Sequence, residues 1–279
     1  MNLYLSKLLS TKNQLSDFWK KFESVLQEHS IQPVLLNHTL DIWCRDFMPI
    51  QVGKDQFAQF FLTKDYYQIM NLHLRTDPAP ICRELGITPI VPNYKGKPIY
   101  LDGGNIIRGY NQVIICEKVF RDNNIHKTKL LDILTDSLKV DHIIVIPQEP
   151  DDYTGHADGM VRWFDEKTVL VNDYATAGSN ERFMRRFYGA LKGAGLDILL
   201  VPYCPVESHD FNQPATGCYI NYLQVGNKVF LPTFEDKEND EKAIERFGEI
   251  FGKENVVTVP SLAIAKLGGV LNCLSWEIN

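Results

Sequence analysis

The sequence predicts an α/β protein built as a ring of five repeats. Three observations predict it: a recurring apolar run, a recurring polar motif after each run, and complementary chain ends. Four short, β-branched runs end at Pro92, Pro147, Pro202 and Pro260, at intervals of 55, 55 and 58 residues. A fifth run ends at Asn37, in the equivalent place one interval earlier. Short apolar runs bounded by turn residues are typical of buried strands, so we expect five of them.

Each run is followed by a polar loop and a second short segment with a distinctive motif. Asp46, Asp102 and His156 lie nine, ten and nine residues beyond the ends of their runs. A further strand and a helix complete most repeats, and two of the helices begin at Ser/Asn or Asn-Asp capping signals. The motifs are WCRD at 43–46, LDGGN at 101–105, GHADG at 155–159, GCYIN at 217–221 and LNCLS at 271–275. The predicted helices are KTKLLDILTDSLK, SNERFMRRFYGALKGAG and NDEKAIERFGEIFG.

The two ends of the chain are complementary. The fifth repeat stops at Asn279, after its motif strand and without a helix, while the chain begins with the helical pattern QLSDFWKKFESVLQEHS and no strand before it. The economical interpretation is a single domain, 1–279, whose N-terminal helix within residues 1–30 completes the fifth repeat. Such radial closure protects sheet edges and would bring all five motifs, including Asn221, to one axis. The alternative is two ordinary α/β domains with coincidental spacing.

The composition favours a globular enzyme and argues against several other classes. Hydrophobic residues make up 44% and charged residues 23%, which is ordinary for a protein with a full core. A net charge of −6 argues against a nucleic-acid partner. The sequence has neither a signal-peptide pattern nor an apolar run of membrane-spanning length, so we expect a cytoplasmic protein that does not bind membranes. The six scattered cysteines and seven histidines lack metal-ligand spacing, so we expect thiols and no metal. A homo-oligomer is compatible with the sequence.

Taken together, the motifs resemble those of the guanidine-modifying superfamily, and most closely those of agmatine deiminases and bacterial-type peptidylarginine deiminases. The resemblance runs from about Pro33 to the C-terminus, with the motifs in the family's order and spacing. It implies a five-bladed, pseudo-symmetric α/β propeller (the pentein fold) and hydrolysis of a guanidine to a urea with release of ammonia. It also implies that no cofactor is needed. Two departures are Phe47-Met48, where the family typically has Thr-Gly, and Asn272, where it has histidine.

The resemblance assigns a role to each matching residue. Cys273 corresponds to the nucleophile and His156 to the general acid and base. Asp102 corresponds to the acidic residue, usually glutamate, that supports the histidine. Asp46 and Asp158 correspond to the carboxylates that hold the guanidinium.

The same residues suit guanidinium chemistry on physical grounds. A guanidinium is planar, charged and weakly electrophilic, and carboxylates such as Asp46 and Asp158 can accept paired N–H bonds from it. His156 and Asp158 alternate along the chain, so they would share one face of a strand. A Cys273 thiolate would then add to the central carbon, and His156 would protonate the departing ammonia. The simpler interpretation of a lone aspartate is a turn or cap, and that of a lone cysteine is core packing.

Several neighbouring residues receive narrower predictions. Trp43 and Asn105 are assigned to substrate binding, with Trp43 placed to pack on an apolar stem or a guanidinium face. Gly103-Gly104 should permit close approach of strands at a crowded axis, and Arg45 should pair with a carboxylate of an adjacent repeat. His209 could reach the site mouth. The acids before His156 should favour its protonated form and overhang the site; they are Glu149, Asp151 and Asp152. The surface histidines are expected to be His29, His38, His73, His126 and His142.

Four functions therefore remain open. The first is hydrolysis of agmatine or a related small, cationic guanidino compound. The second is deimination of peptidyl or free arginine, and the third is amidino transfer to an amine. The fourth, from a different class, is a propeller that binds without catalysis; retention of all four reactive residues argues against it.

Overall fold

The computed structural model describes residues 2–63, 74–150, 152–206 and 214–279. The chain divides into two compact units: a central unit, Asp46–Leu199, and a terminal unit, Met1–Arg45 with Leu200–Asn279. Whether these units form the single domain predicted for 1–279 stays a prediction. Among the described residues, no helix has the length and apolar character required to cross a bilayer. Three residues with predicted roles, His73, Asp151 and His209, lie outside the described ranges.

Short strands alternate with helices along the chain. In chain order, the strands are β1 Asn2–Ser6, β2 Val34–Leu36, β3 Ile50–Gly53, β4 Gln56–Ala58, β5 Asn93–Tyr94, β6 Lys97–Pro98, β7 Ile107–Arg108, β8 Gln112–Cys116, β9 His142–Ile146, β10 Val161–Trp163, β11 Thr168–Asn172, β12 Asp197–Val201, β13 Leu223–Val225, β14 Lys228–Thr233, β15 Val256–Pro260 and β16 Ser275–Ile278. The α-helices are Leu8–Thr11, Ser16–Glu28, Cys44–Phe47, Pro78–Glu84, Lys118–Asn123, Lys127–Leu138, Glu181–Gly193, Lys237–Phe251, Leu262–Ala265 and Leu271–Leu274. Turns of 3-10 helix cover Asn13–Leu15, Gly103–Asn105, Ala157–Gly159 and Lys253–Asn255.

One sheet pattern recurs with the predicted repeat. The middle strand pairs antiparallel with the motif strand before it and parallel with the apolar run of the next repeat. This holds for β7–β8–β9 and for β13–β14–β15. In a reduced form, β4 pairs antiparallel with β3 and makes an isolated parallel bridge from Ala58 to Ile90. The repeat read from the apolar runs is therefore present in the strand pairing.

The apolar runs are edge strands, so the prediction that they are buried is wrong. Among the most buried strands are the middle ones, β8, β11 and β14, with four buried residues each. By contrast, Leu200 in β12 is 40% exposed and Ile90 is 63% exposed. An edge strand is paired on one side only, and an edge also tolerates the prolines that end these runs, because proline has no N–H to donate.

The predicted helices are confirmed, and their apolar stripes explain the packing. In the central unit Leu130, Leu134 and Leu138 recur every fourth residue and are fully buried against Val113 and Ile115 of β8. The helix Glu181–Gly193 is capped by Asn180, whose side chain accepts the N–H groups of residues 182 and 183.

In the terminal unit, the long helix uses a different cap from the predicted one. It begins at Lys237 with Asp236 as the N-cap, rather than at the Asn239-Asp240 signal. Asp240 is instead buried in the first turn, where it accepts hydrogen bonds from the Tyr219 hydroxyl and from the Phe234 N–H.

The two chain ends form one sheet in the terminal unit. Strand β1 pairs antiparallel with β16 and parallel with β2, which is the pattern of the other repeats. The prediction that no strand precedes the N-terminal helix is therefore wrong. The segment NLYLS has no local hairpin partner to reveal it, since its partners lie at the far end of the chain and after the helix. The helix Ser16–Glu28 packs against β15.

Candidate active site

The motif segments fold as short helical turns. The motifs around Asp102 and His156 form the 3-10 turns Gly103–Asn105 and Ala157–Gly159, and these two turns pack against each other. His156 precedes its turn with an extended backbone, and Asp158 lies inside the turn. The prediction that His156 and Asp158 share a strand face is therefore wrong, because the small, turn-forming sequence Ala-Asp-Gly bends the chain at that point. In the terminal unit Leu271–Leu274 is likewise a single helical turn.

Asp102 is anchored through both carboxylate oxygens. Its Oδ1 accepts the Thr63 N–H at 2.7 Å, and its Oδ2 accepts the Thr63 hydroxyl at 2.9 Å. The same Oδ2 lies 3.2 Å from His156 Nε2. Burial acts to raise the pKa of Asp102, but the hydrogen bond and charge of His156, together with Lys118 and the Thr63 N–H, lower it overall. Asp102 is therefore a carboxylate at neutral pH, oriented to accept from the imidazole.

His156 is buried between two carboxyl groups. Its Nδ1 lies 3.5 Å from Asp46 Oδ1, opposite the Asp102 contact at Nε2. Burial acts to lower the pKa of the imidazole, but Asp46, the Asp102 hydrogen bond and charge, and Asp158 raise it to about 10. His156 is therefore an imidazolium across the neutral range, with both ring N–H groups directed at carboxylates.

Asp46 has the opposite balance. Burial raises its pKa to about 7; His156 and the Gly104 N–H act to lower it, while Asp158 and Asp102 add to the rise. The Gly104 N–H donates to Asp46 Oδ1 at 2.9 Å. Asp46 thus changes charge near neutral pH. A cation bound beside it would favour its ionised form.

Gly104 is required by crowding at this cluster. A Cβ at this position would lie 2.6 Å from His156 Nδ1 and 2.7 Å from Asp46 Oδ1. Both distances are shorter than any ordinary carbon contact, so a side chain would displace the imidazole or the carboxylate. The predicted crowding holds at Gly104, but it comes from the side chains of His156 and Asp46 and not from the approach of strands.

Asp158 and Asn105 are also buried in the central unit. Asp158 is 1% exposed, and its charge acts on both His156 and Asp46. Asn105 Oδ1 accepts the Cys116 N–H at 2.6 Å, which ties the motif turn to β8. The structure therefore brings together Asp46, Asp102, His156 and Asp158, and it gives Asn105 a bond to the backbone.

Sequence reasoning missed Lys118, which is 3% exposed in the same unit. Its Nζ donates to Asp122 Oδ2 at 2.7 Å and to the Thr63 hydroxyl at 3.3 Å. Its charge contributes to the lowered pKa of Asp102. From the sequence alone, a lysine next to Val119 and Phe120 is expected to be a surface residue. The available signal was its position two residues after a fully buried strand.

The acidic loop before His156 supports the backbone through Asp152. Asp152 Oδ1 accepts the N–H and hydroxyl of Thr154, and Oδ2 accepts the His156 N–H at 3.3 Å. Glu149 accepts the Tyr174 hydroxyl at 2.8 Å. Neither acid is among the groups that raise the pKa of His156, which are Asp46, Asp102 and Asp158. For Glu149 and Asp152, the expectation that loop acids favour the imidazolium is therefore replaced by buried carboxylates, while Asp151 lies outside the described residues.

Cys273 lies in the terminal unit, on the helical turn Leu271–Leu274, and is partly exposed. Its N–H donates to Asn221 Oδ1 at 3.3 Å, while the Asn272 N–H donates to the Asn221 carbonyl at 3.1 Å. Asn221 thus holds two consecutive amides of the turn that carries the thiol.

Arg45 forms the predicted pair with a carboxylate of an adjacent repeat, Glu277, at 2.9 Å. Its Nε also donates to the Asn272 carbonyl at 3.4 Å, and its Nη2 donates to the Ser275 hydroxyl at 3.0 Å. Arg45 therefore braces both sides of the turn that carries Cys273. This second role was not predicted.

Trp43 packs on the glycine loop before Cys273. A Cβ on Gly269 would lie 2.7 Å from the Trp43 ring. Trp43 is 4% exposed, so most of its surface is already buried.

All six cysteines lie in the described part of the chain and are thiols. Four of the five assigned to packing are buried: Cys44, Cys82, Cys116 and Cys218. Burial raises the pKa of Cys82 to about 11 and that of Cys116 to about 12, which suits inert packing thiols. The predicted surface positions of His38, His126 and His142 are confirmed, since all three are exposed.

The sequence model of the Porphyromonas-type peptidyl-arginine deiminase family matches residues 9–278. The chain belongs to this family. It is 27% identical over 219 residues to the agmatine deiminase of Pseudomonas syringae pv. syringae (strain B728a), a match that covers 67% of this chain and 59% of that protein. The agmatine deiminase of Pseudomonas savastanoi pv. phaseolicola (strain 1448A / Race 6) matches with the same identity and coverage. The matched region thus spans less than two thirds of these relatives.

Solved structures confirm the predicted fold class, the α/β pentein fold. C. jejuni agmatine deiminase superposes with a TM-score of 0.77 at 17% identity, covering 100% of this chain and 93% of that one. DDAH from Pseudomonas aeruginosa, in complex with citrulline, superposes with a TM-score of 0.56 at 12% identity, covering 98% and 97%.

The departures from the family's motifs fall on packed positions. Phe47 and Met48 are each 2% exposed in the central unit, and the Phe47 carbonyl accepts from Gln59 Nε2 at 3.1 Å. Asn272 is 5% exposed in the terminal unit and is held through its backbone. In this family member, both positions are integrated into a core.

Proposed function

We propose that this protein hydrolyses a guanidino compound to the corresponding ureido compound and ammonia, with Cys273 as nucleophile and His156 as general acid and base. The observation that carries the proposal is the buried imidazole of His156, whose Nδ1 lies 3.5 Å from Asp46 Oδ1 and whose Nε2 lies 3.2 Å from Asp102 Oδ2, with Asp158 buried in the same unit. Such a cluster combines one charged proton donor with three carboxyl groups, so acidic groups outnumber the cation. A cationic substrate that must be protonated as it reacts needs both.

In the first half of the reaction, the Cys273 thiolate adds to the central carbon of the guanidinium and gives a neutral tetrahedral adduct. His156 donates a proton to one amino nitrogen, and the C–N bond breaks to release ammonia. A thiouronium cation remains on Cys273, and His156 is left neutral. Asp46 and Asp158 hold the planar cation through N–H bonds.

In the second half, His156 takes a proton from water as the oxygen adds to the thiouronium carbon. The C–S bond then breaks, which returns the Cys273 thiolate and leaves an O-protonated urea. That proton passes to the released ammonia, so the sum is guanidinium plus water to urea plus ammonium. Asp102 keeps the imidazole ring oriented through both changes of charge.

Agmatine is the substrate that we propose, with N-carbamoylputrescine as the product. The support is the named activity of the two Pseudomonas relatives and the acidic character of the chain, whose net charge is −6. With agmatine as substrate, the reaction would supply putrescine biosynthesis. The family's description favours a second candidate, a peptidyl-arginine residue, which carries the same guanidinium without the second amine.

Ammonia release should be measured with agmatine, arginine, methylarginines and arginyl peptides, using Cys273→Ala as the blank. We expect Cys273-dependent ammonia and a ureido product with agmatine. Faster ammonia release from arginyl peptides than from agmatine would favour peptidyl-arginine as the substrate. No release from any guanidine would refute the hydrolase and favour a binding protein, which calorimetry with agmatine would then test.

A further inference from the structure

Lys118 is buried at a position where a positive charge does not stabilise its helix. It is the first residue of the helix Lys118–Asn123, and a positive charge at a helix N-terminus opposes the helix dipole. Its partner Asp122 follows at i+4, the less favourable order for a lysine–carboxylate pair on a helix. The lysine side chain is 1% exposed, and removing an ammonium from water is costly even when it is paired. Local helix stability therefore does not explain the residue.

The contacts of Lys118 lead to the His156–Asp102 pair by two routes. The first is polar: Nζ donates to the Thr63 hydroxyl at 3.3 Å, and that hydroxyl lies 2.9 Å from Asp102 Oδ2. The second is steric: a Cβ on Gly155 would lie 2.6 Å from Lys118 Cδ, so the lysine stem packs against the residue just before His156.

The Lys118 ammonium fixes the direction of the hydrogen bonds that run from Lys118 Nζ through the Thr63 hydroxyl to Asp102 Oδ2, which we call the relay. A lysine ammonium has only donors, so the Thr63 hydroxyl must accept from it and must direct its own proton at Asp102. Asp102 Oδ2 then receives the Thr63 proton as well as the His156 Nε2 proton. Without the ammonium, the hydroxyl is able to rotate away, and Asp102 loses one of the bonds that hold it.

We propose that Lys118 is a positioning residue for His156, acting through the Thr63 hydroxyl on Asp102 and through its stem on Gly155. The catalytic part of this inference rests on the proposed deiminase function. The positioning itself is a property of the resting protein and is measurable without turnover.

The charged groups around Lys118 and His156 determine in which direction the pKa of His156 should shift when Lys118 is replaced. His156 faces Asp46, Asp102 and Asp158, while Lys118 faces Asp122, with Arg121 beyond it at 3.9 Å from Asp122. Removing a nearby positive charge through space would favour the imidazolium and raise the pKa of His156. Loosening Asp102 would weaken the bond that stabilises the imidazolium and lower that pKa. The two explanations therefore predict opposite shifts.

The test is an NMR titration of the imidazole in ring-labelled full-length protein, with Lys118→Met as the variant. We expect the His156 midpoint to move down by about one pH unit, the value of one charge-assisted hydrogen bond. Lys242→Met is the matched control, because Lys242 also pairs with a carboxylate one helical turn away but is 58% exposed. The control should leave the midpoint unchanged. A midpoint that rises or stays fixed in Lys118→Met would overturn the proposal.

A second pair of variants guards against poor folding of Lys118→Met. Thr63→Val removes the relay hydroxyl at nearly constant shape, and Thr63→Ser restores it. Thr63→Val should lower the His156 midpoint with Lys118 in place, and Thr63→Ser should return it toward the wild-type value. Equal midpoints for Val and Ser would contradict the relay.

The kinetic readout follows if the deiminase reaction is found. Lys118→Met should then reduce kcat by about 10- to 100-fold, the effect of a misplaced catalytic group, with little change in KM. A protein without deiminase activity would still show the titration shift, so failure of the proposed function and failure of the positioning role are distinguishable.

Discussion

The central and terminal units hold their reactive groups by different physical means. In the central unit, His156 is held by buried charges: its two ring nitrogens face Asp46 and Asp102. In the terminal unit, Cys273 is held through its backbone by the neutral side chain of Asn221, and Arg45 braces the same turn. The group proposed to gain and lose a proton thus has titratable neighbours. The group proposed to form a covalent bond has a fixed backbone instead. The difference predicts that substitutions in the central unit change pH dependence, while those around Cys273 change geometry.

The largest expected effect is that of Cys273→Ala. It should abolish ammonia release, because the proposed reaction proceeds through a covalent bond to the Cys273 sulfur. The free energy of unfolding, measured by urea denaturation, should change by less than about 1 kcal/mol, since Cys273 is partly exposed and the backbone bond to Asn221 remains. Cys204→Ala, at the other partly exposed cysteine, is the control and should remain active. Residual turnover together with a large loss of stability would show that Cys273 contributes to packing and is not the nucleophile.

The next effect is that of Asp102→Asn, which tests the charge-based support in the central unit. The amide keeps the shape but removes the carboxylate that stabilises the imidazolium, so kcat should fall by about 10²- to 10⁴-fold. Asp165→Asn is the control, because Asp165 also accepts backbone N–H bonds, but in an exposed turn. A kcat within a factor of about two of the wild type would show that Asp102 does not act through His156.

The pH profile of kcat/KM for agmatine should show the charge of Asp46. Its pKa is raised to about 7, so the carboxyl becomes neutral as the pH falls through that value and no longer attracts the guanidinium. We expect kcat/KM to fall by about tenfold per pH unit below that point, mainly through KM. His156, with a pKa of about 10, remains a proton donor across the neutral range. A profile that stays flat down to about pH 5 would exclude Asp46 as the titrating carboxylate.

The smallest effect is expected for Asp152→Asn, at the loop that holds the His156 backbone. The carboxylate accepts three hydrogen bonds inside the loop, so its substitution should cost about 1 kcal/mol of stability and lower kcat by about two- to fivefold. Asp173→Asn is the matched control, since Asp173 forms the same kind of bonds with Thr176 and precedes no histidine. A rise in KM that disappears in high salt would instead indicate long-range attraction of the substrate.

The repeat and the long helices could be predicted from the sequence because they follow from periodicity and motif spacing, whereas the roles of the acids and of His156 were predicted from the resemblance of the motifs to a known family. Strand β1 could not, since its partners are distant and nothing local marks it. The edge position of the apolar runs was not predicted, because the composition of a strand shows how apolar it is but not whether it pairs with one strand or with two. Lys118 was missed because burial of a lysine depends on distant groups such as Thr63 and Gly155, which only the folded chain brings to it.

The pairing of β1 with β16 has a consequence for biosynthesis. Residues 2–6 are synthesised well before their antiparallel partner, residues 275–278. The β1–β16 pairing therefore joins segments that are far apart in the sequence, and contacts of such long sequence separation are intrinsically slow to form. The turn that carries Cys273 immediately precedes β16, so we expect it to become ordered late in folding, together with the β1–β16 pairing. The histidine cluster of the central unit, which does not depend on that pairing, would then form before the backbone around Cys273 is fixed.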